Sequence, residues 1–267
     1  VRWKVNARRG GCRFDRSYPA IRRDGMNTIR KSSGNRVTAF MQVRNEADRY
    51  LEEVLKNLSE FVDDIVIVDD ASTDDTVKLC RSFPKVKNVV ELSGSHFGKE
   101  AELKVLLWKA ACADRPDWLL AVDADELFED RMKQEVRSLI DQNRYDWVAF
   151  RMYDFWNGTT HYREDELWQL HNRHTISLVR YIPGFYYFYP SMNHHVPRVP
   201  LSYNALPGHL SDIRIKHYGW AGSEEERREK YLRYRKHDPD GCWGNAAQYE
   251  SILELHPRLV EWREEGP

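Results

Sequence analysis

The chain is predicted to be an α/β protein built on a mostly parallel sheet flanked by helices, and three observations predict it. Short apolar, β-branched runs alternate with helical segments, the pattern of strands joined by crossover helices. The runs are almost continuously apolar, as strands covered on both faces are. Two of them end abruptly in acids, and ligands in open α/β sheets bind beyond the carboxyl ends of the strands.

The elements follow in order. Val37-Thr38-Ala39-Phe40-Met41-Gln42-Val43 is the first strand and Arg44-Asn45-Glu46 its polar loop. Leu51, Val54, Leu55 and Leu58 recur at i, i+3, i+4 and i+7, which predicts an amphipathic helix over roughly 48–60. Residues 65–68 form a second strand that runs into Asp69-Asp70. Ser72 or Thr73 is expected to cap the next helix, with Asp74 and Asp75 in its first turn. A third strand at 89–92, a helix over 99–113 and a fourth strand at 117–122 complete the unit. The pattern then loosens. A helix is expected over 131–142, strands at 147–152 and 176–181, and proline-rich loops over 190–208. A short strand at 213–216 precedes a charged helix over 223–237, capped by Ser223 with Glu224, Glu225 and Glu226 in its first turn. A short helix and an extension fill 246–263.

The net charge of −1 over 267 residues hides an asymmetry. Residues 1–36 hold eleven Lys and Arg against two acids, Asp15 and Asp24, a charge of +9 that leaves −10 for the remainder. Such an acidic body argues against nucleic-acid binding. Residues 1–35 are polar, basic and without period, and are expected to be a disordered leader. Arg22-Arg23 shortly before Met26 suggests a start at Met26 that leaves 1–25 untranslated; N-terminal sequencing that found Val1 would refute this. Cys12, Cys80, Cys112 and Cys242 form no C-x-x-C pair, which argues for neither a zinc motif nor a disulfide framework and suits a reducing compartment. No apolar run reaches the ~18 residues of a membrane span. The expected location is the cytoplasm.

The fourth strand ends in Asp123-Ala124-Asp125-Glu126. Three carboxylates so close repel one another unless a cation or a donor-rich ligand joins them. Hard oxygen ligands suit Mg²⁺ or Mn²⁺, usually completed by substrate phosphates. A calcium EF-hand loop beginning at Asp123 would need Gly and Glu where Phe128 and Gln134 stand. Neither a P-loop nor a G-x-G-x-x-G fingerprint is present. A nucleoside needs acceptors for its base and ribose, and its diphosphate needs a metal, so one acidic tip for each task is chemically sensible.

Residues 37–76, with Arg44-Asn45-Glu46 and Val68-Asp69-Asp70-Ala71-Ser72-Thr73-Asp74-Asp75-Thr76, resemble the family 2 glycosyltransferases of GT-A fold, and Asp123-Ala124-Asp125 is similar to their D-x-D motif. Lys216-His217-Tyr218-Gly219-Trp220 and residues 230–241 look like those of uncharacterised bacterial members. The resemblance implies a nucleotide-sugar-binding half over 36–150 and an acceptor-side half over 151–267 of the same domain. It implies that Asp69 or Asp70 meets the base or ribose, with Gln42, Arg44, Asn45 and Glu46 lining the nucleotide pocket. Asp125 would be the main metal ligand, Asp123 would serve ribose or metal, and Glu126 would stand behind them or near the sugar. His217 is expected as a further metal ligand, with His194-His195 as competitors. Lys104, with Lys99 and Arg180, would neutralise diphosphate. Inversion needs a base, for which Asp165 is the choice and Asp212 the reserve. Trp156 and Trp168 are expected to stack on the acceptor.

The expected activity is therefore a Mn²⁺- or Mg²⁺-dependent inverting transfer from a UDP-sugar to a carbohydrate or lipid-linked glycan, in bacterial envelope glycan or glycoconjugate synthesis. The alternatives are a sugar-phosphate nucleotidyltransferase, which would want glycine in the loop after the first strand, and a non-catalytic carbohydrate-binding protein.

Overall fold

The computed structural model describes residues 30–96, 98–192, 195–239, 241 and 245–264. The start-site expectation, most of the leader and His194 lie outside the described residues. The first half runs β1 (Val37–Val43), α1 (Leu51–Ser59), β2 (Asp64–Asp69), α2 (Thr76–Arg81), β3 (Val86–Glu91), α3 (Glu100–Cys112) and β4 (Trp118–Ala121). The second runs β5 (Glu126–Phe128), α4 (Met132–Ile140), β6 (Trp147–Trp156), β7 (His161–Arg163), β8 (His174–Arg180), β9 (Gly208–Trp220), α5 (Glu224–His237), α6 (Ala246–Ser251) and β10 (Leu259–Glu261).

One sheet carries all of this, in the order β10-β7-β6-β8-β4-β1-β2-β3, with β9 against β5 and β6. β3, β2, β1 and β4 are mutually parallel, as the alternation of strands and helices predicts. Its two faces explain the uninterrupted apolar runs. Ala39, Met41, Ile65, Ile67 and Leu120 pack on one side with Leu51, Leu55 and Leu58 of α1 and Val136 of α4. Phe40, Val66, Val68 and Leu119 pack on the other with Leu103, Leu107 and Trp108 of α3. Successive residues thus enter opposite cores, so neither face is left polar.

Beyond β4 the sheet changes character. β8 runs antiparallel to β4 and β6, and β7 and β10 continue antiparallel. β9 lies parallel to β6 and antiparallel to β5. The short β5, β7 and β10 gave no periodicity to detect, and the first residues of β9 are largely exposed, so only its apolar second half was legible. Gly208 opens β9 because the Trp147 ring fills the space a Cβ would need, at 1.9 Å.

One cap differs from expectation. α2 begins at Thr76, so Asp74 and Asp75 precede it. Asp74 accepts from the Thr76 amide at 3.0 Å, while Ser72 is turned to Asn45. On α5 the expected cap is present in full, with Ser223 and Glu226 exchanging side-chain and backbone hydrogen bonds.

Candidate functional site

The loops after β1 and β2 are stitched together before any ligand is considered. Val43 ends β1 opposite Asp69, the last residue of β2. The Asn45 amide donates to Ser72 Oγ at 2.9 Å, and the Thr73 amide donates to Asn45 Oδ1 at 2.8 Å. The Glu46 amide donates to Thr76 Oγ1 at 2.7 Å. Asn45 and Ala71 both take positive φ, 52° and 60°. Asparagine tolerates that region; alanine does so only at a cost, and such strain gathers at functional loops.

These loops leave buried acceptors without donors. Asp69 is 2 % exposed; its Oδ2 accepts from the Ser72 amide, while its Oδ1 has no hydrogen-bond partner among the described residues. Gln42 Oε1 and Glu46 Oε2 are in the same condition. A buried acceptor left unpaired costs about 1–3 kcal/mol, so three of them around one loop pair suit a donor-rich ligand. Asp70 is different. It accepts from Ser95 Oγ at 2.7 Å and the His96 amide at 2.6 Å, with Arg44 at 3.5 Å, and so holds the β3–α3 loop.

The second acidic tip is built by four strands. Asp123 and Asp125 follow β4, and β5 turns back so that Glu126 pairs with His217 of β9. His217 in turn pairs with Asp154 of β6. His217 Nδ1 lies 2.6 Å from Asp154 Oδ1, and its Nε2 faces Asp125 Oδ1 at 3.8 Å. A carboxylate that orients an imidazole from behind is the usual support of a ligating histidine. The ring needs space that only glycine leaves: a Cβ on Gly219 would meet His217 Nε2 at 2.5 Å.

Cations divide the four acids. Arg198 grips both oxygens of Glu126, at 2.6 and 2.8 Å, and reaches Asp123 at 3.3 Å. Glu126 also accepts from the Asp123 amide at 3.1 Å, so it fixes the turn from behind. Asp125 keeps about a fifth of its side chain exposed, facing His217.

The charges shift one another. Burial works against the charge of Asp123, yet Arg198, Lys104, His217 and Lys230 hold its carboxyl below the ordinary value. Burial works against the His217 cation too, but Asp125 and the hydrogen bond to Asp154 prevail and push it up to about 9. Burial pushes Glu46 up to about 7, with Asp125 adding to the push. Burial also holds the Lys230 ammonium below its ordinary value.

Among the residues expected at the site, the structure brings together Asp123, Asp125 and His217, with the buried Lys104 acting on Asp123. It gives others different work. Asp165 accepts from Arg163 Nε at 2.6 Å and from the Leu167 and Trp168 amides, so its carboxylate fixes its own turn. The recess it lines with Glu164, Glu166 and Arg258 includes none of Asp123, Asp125 or His217. Trp156 and Trp168 are buried, with the fully buried Arg163 against both rings, and are core rather than an acceptor platform. Arg180 is buried over Trp118 and bonded to Asp146, away from diphosphate chemistry. Lys99 precedes α3, and Asp212 is exposed on β9.

Sequence reasoning passed over Asp154 and Arg198. An acid inside Tyr153-Asp154-Phe155-Trp156 was a usable signal, because a charge in an aromatic strand needs a partner. Arg198, between Pro197 and Val199, carried none.

With this geometry described, comparison with known proteins is informative. Residues 38–194 match the family model described as Glycosyl transferase family 2. The uncharacterized protein Rv3786c of Mycobacterium tuberculosis is 30% identical over 240 residues, covering 82% of this chain and 54% of that protein. An uncharacterized glycosyltransferase of Rickettsia bellii is 26% identical over 118 residues, 44% of this chain and 37% of that one. The chain thus spans about half the length, or less, of the curated relatives it matches. The fold is shared with the crystal structure of S. aureus TarS 1-349 in complex with UDP-GlcNAc, with a TM-score of 0.50 and 14% identity over 82% of this chain and 70% of that one. Among the described residues, no helix is long and apolar enough to cross a membrane.

Proposed function

The chain belongs to glycosyl transferase family 2, and from that premise we propose that it transfers a sugar, with inversion, from a UDP-sugar to a hydroxyl of a carbohydrate or lipid-linked glycan. The observation that carries the proposal is the line Asp125–His217–Asp154, set beside the unpartnered acceptors of Gln42, Glu46 and Asp69.

Each part has its task. Asp69 Oδ1, Gln42 Oε1 and Glu46 Oε2 accept from the base N–H and the ribose hydroxyls, with Asn45 holding the loop and Arg44 beside it. Asp70 keeps the neighbouring loop in place. The diphosphate lies toward Asp123 and Asp125, where Lys104 and Lys230 offset its charge. A carboxylate oxygen and an imidazole nitrogen at 3.8 Å suit Mn²⁺, or Mg²⁺ with more oxygen donors. Among the described residues, no group of three His, Cys, Asp or Glu side chains is arranged to hold a metal ion by itself. Asp125 and His217 would therefore hold the ion jointly with diphosphate oxygens and water. When bound, such a metal acts as a Lewis acid that stabilises the departing nucleoside diphosphate. His217 must surrender a proton to take part, and Asp154 fixes which nitrogen faces Asp125. With Asp165 tied to Arg163 and its own turn, no step is assigned to it.

The TarS structure that shares the fold is described as holding UDP-GlcNAc, which supports testing UDP-sugars first. A thermal-shift panel of nucleotides and UDP-sugars, with and without Mn²⁺, tests the reading. A Mn²⁺-dependent rise in Tm with UDP compounds is expected, because a ligand of the native state stabilises it by mass action. A flat panel would refute it. Slow Mn²⁺-dependent release of UDP from the bound sugar separates an active transferase from a non-catalytic binder.

A further inference from the structure

A recess borders the acidic centre and, of the residues given to the proposed donor site, shares only Lys230. Its charged lining is Arg49, Arg227, Lys230 and Arg233, with Glu226 and Glu229. It meets the centre through Gly219, where a Cβ would lie 2.5 Å from His217 Nε2 and 3.0 Å from Lys230 Nζ. Glu226 is committed to the cap of α5, accepting from the Ser223 amide at 2.6 Å. The lining is therefore net positive.

Its cations are incompletely satisfied. Arg227 is 8 % exposed and donates one N–H to the Gly222 carbonyl at 2.6 Å, yet its Nε is buried without an acceptor among the described residues. Lys230 donates to the Gly219 carbonyl at 2.8 Å and otherwise lies 4.1 Å from the centre of the Trp220 ring. An ammonium has three donors, so this environment leaves capacity for an anion. Arg233, also in the lining, is exposed. Buried or half-buried guanidinium and ammonium donors facing one cavity are the usual means of holding a phosphate.

We propose that this recess seats a phosphate group of the acceptor, so that the acceptor is a phosphorylated saccharide or a phosphate-linked glycan. The inference rests on the transferase reading. The donor's base and ribose belong to Gln42 and Asp69 at the ends of β1 and β2 and to Glu46 in the loop after β1, and its diphosphate to Asp123 and Asp125; none of these residues lines the recess. A phosphate fixed beside Gly219 holds a neighbouring hydroxyl of the same molecule against the centre where the sugar is released. The reaction itself is a simple exchange. The acceptor oxygen bonds to the anomeric carbon, the bond to the diphosphate oxygen breaks with its electron pair staying on the departing nucleoside diphosphate, and the hydroxyl proton passes to solvent water.

The test is calorimetric titration of inorganic phosphate into the full chain, alone and saturated with UDP and Mg²⁺. Phosphate is expected to bind in both states without displacing UDP. Arg233→Gln and Arg49→Gln should each weaken phosphate about tenfold, the loss of one charge-assisted contact; Arg233→Gln should move UDP affinity less than twofold, whereas Arg49 also pairs with Glu46 at 3.5 Å and is read on phosphate alone. Competition between phosphate and UDP would overturn the acceptor assignment and give the recess to the donor. Phosphate affinity unchanged in both variants would overturn the recess as the site. Failure of UDP to bind would sink the transferase reading, while the UDP-free titration still judges the recess.

Discussion

The parallel half of the sheet and its mixed extension supply the site in different ways. β1, β2 and β4 are buried on both faces and present chemistry only at their ends, where Asp69, Asp123 and Asp125 emerge. β6 and β9 present theirs from within: Asp154 and His217 are strand residues, paired in register and facing across the sheet. A strand tip places a side chain by the length of its own run. A residue inside a strand is placed by the register of its neighbour, and a one-residue slip would turn it to the other face. The tips can therefore carry ligand contacts with local support, whereas His217 depends on β5, β6 and Gly219 together.

The largest effect separating the two modes is expected at Asp125. Asp125→Asn should abolish Mn²⁺-dependent UDP binding in calorimetry and leave the far-ultraviolet circular dichroism unchanged, because Asp125 makes few structural bonds. Retained affinity would remove Asp125 from the metal. Replacing the support should cost less. Asp154→Asn and Gly219→Ala are each expected to weaken Mn²⁺ about 10- to 100-fold, the usual penalty for disturbing the groups behind a ligating histidine. If Gly219→Ala left Mn²⁺ affinity intact, the ring would not be held as the geometry shows.

The next test concerns pH. His217 binds its proton more tightly folded than unfolded, up to about 9 against 6.5. Its contribution to stability is full below about pH 6.5 and lost as pH rises through about 9. Glu46, raised to about 7 from 4.5, acts in the same sense at lower pH. The metal-free Tm should fall between pH 6.5 and 9, and His217→Gln should flatten that fall. Mn²⁺ affinity should rise over the same window, by up to about tenfold per unit, because the ion displaces the proton. Affinity independent of pH would exclude His217 as a ligand.

The extension can also be loosened away from the site. Arg163 is buried among Trp156, Trp168, Asp165, Glu254 and the Ser251 carbonyl, and ties β7 to the C-terminal segment. Arg163→Met should cost about 2–3 kcal/mol in denaturant unfolding. UDP affinity should survive if the loops proposed for the donor act independently of this segment; equal loss of both would show that the halves act as one. The smallest effect is expected from Ser223→Ala, about 1 kcal/mol, through the lost cap of α5.

These contrasts explain what the chain disclosed before its fold was known. The α/β class, the parallel order of its first half and the acidic tips were legible, because continuous apolar runs, helical spacing and a strand's last residues are local properties. Asp165 was misjudged because its setting, a polar loop with three acids, looks the same whether a carboxylate faces solvent or an arginine 2.6 Å away. Arg198 was missed for the same reason, and Asp154, though a charge in an aromatic strand signals a partner, did not disclose which one. Their roles exist only when β6 lies beside β9 and a proline-rich loop folds back over Glu126.

By itself, then, the sequence determined that Asp123-Ala124-Asp125 would follow a buried strand and set its acids at the sheet's edge. Tertiary structure alone decided that Glu126 is neutralised by Arg198, that His217 is held by Asp154, and that Gly219 opens the space between them and a basic recess. The physical reason is one of range. Apolar patterning is encoded residue by residue, while the pairing of buried charges depends on partners 63 and 72 positions away.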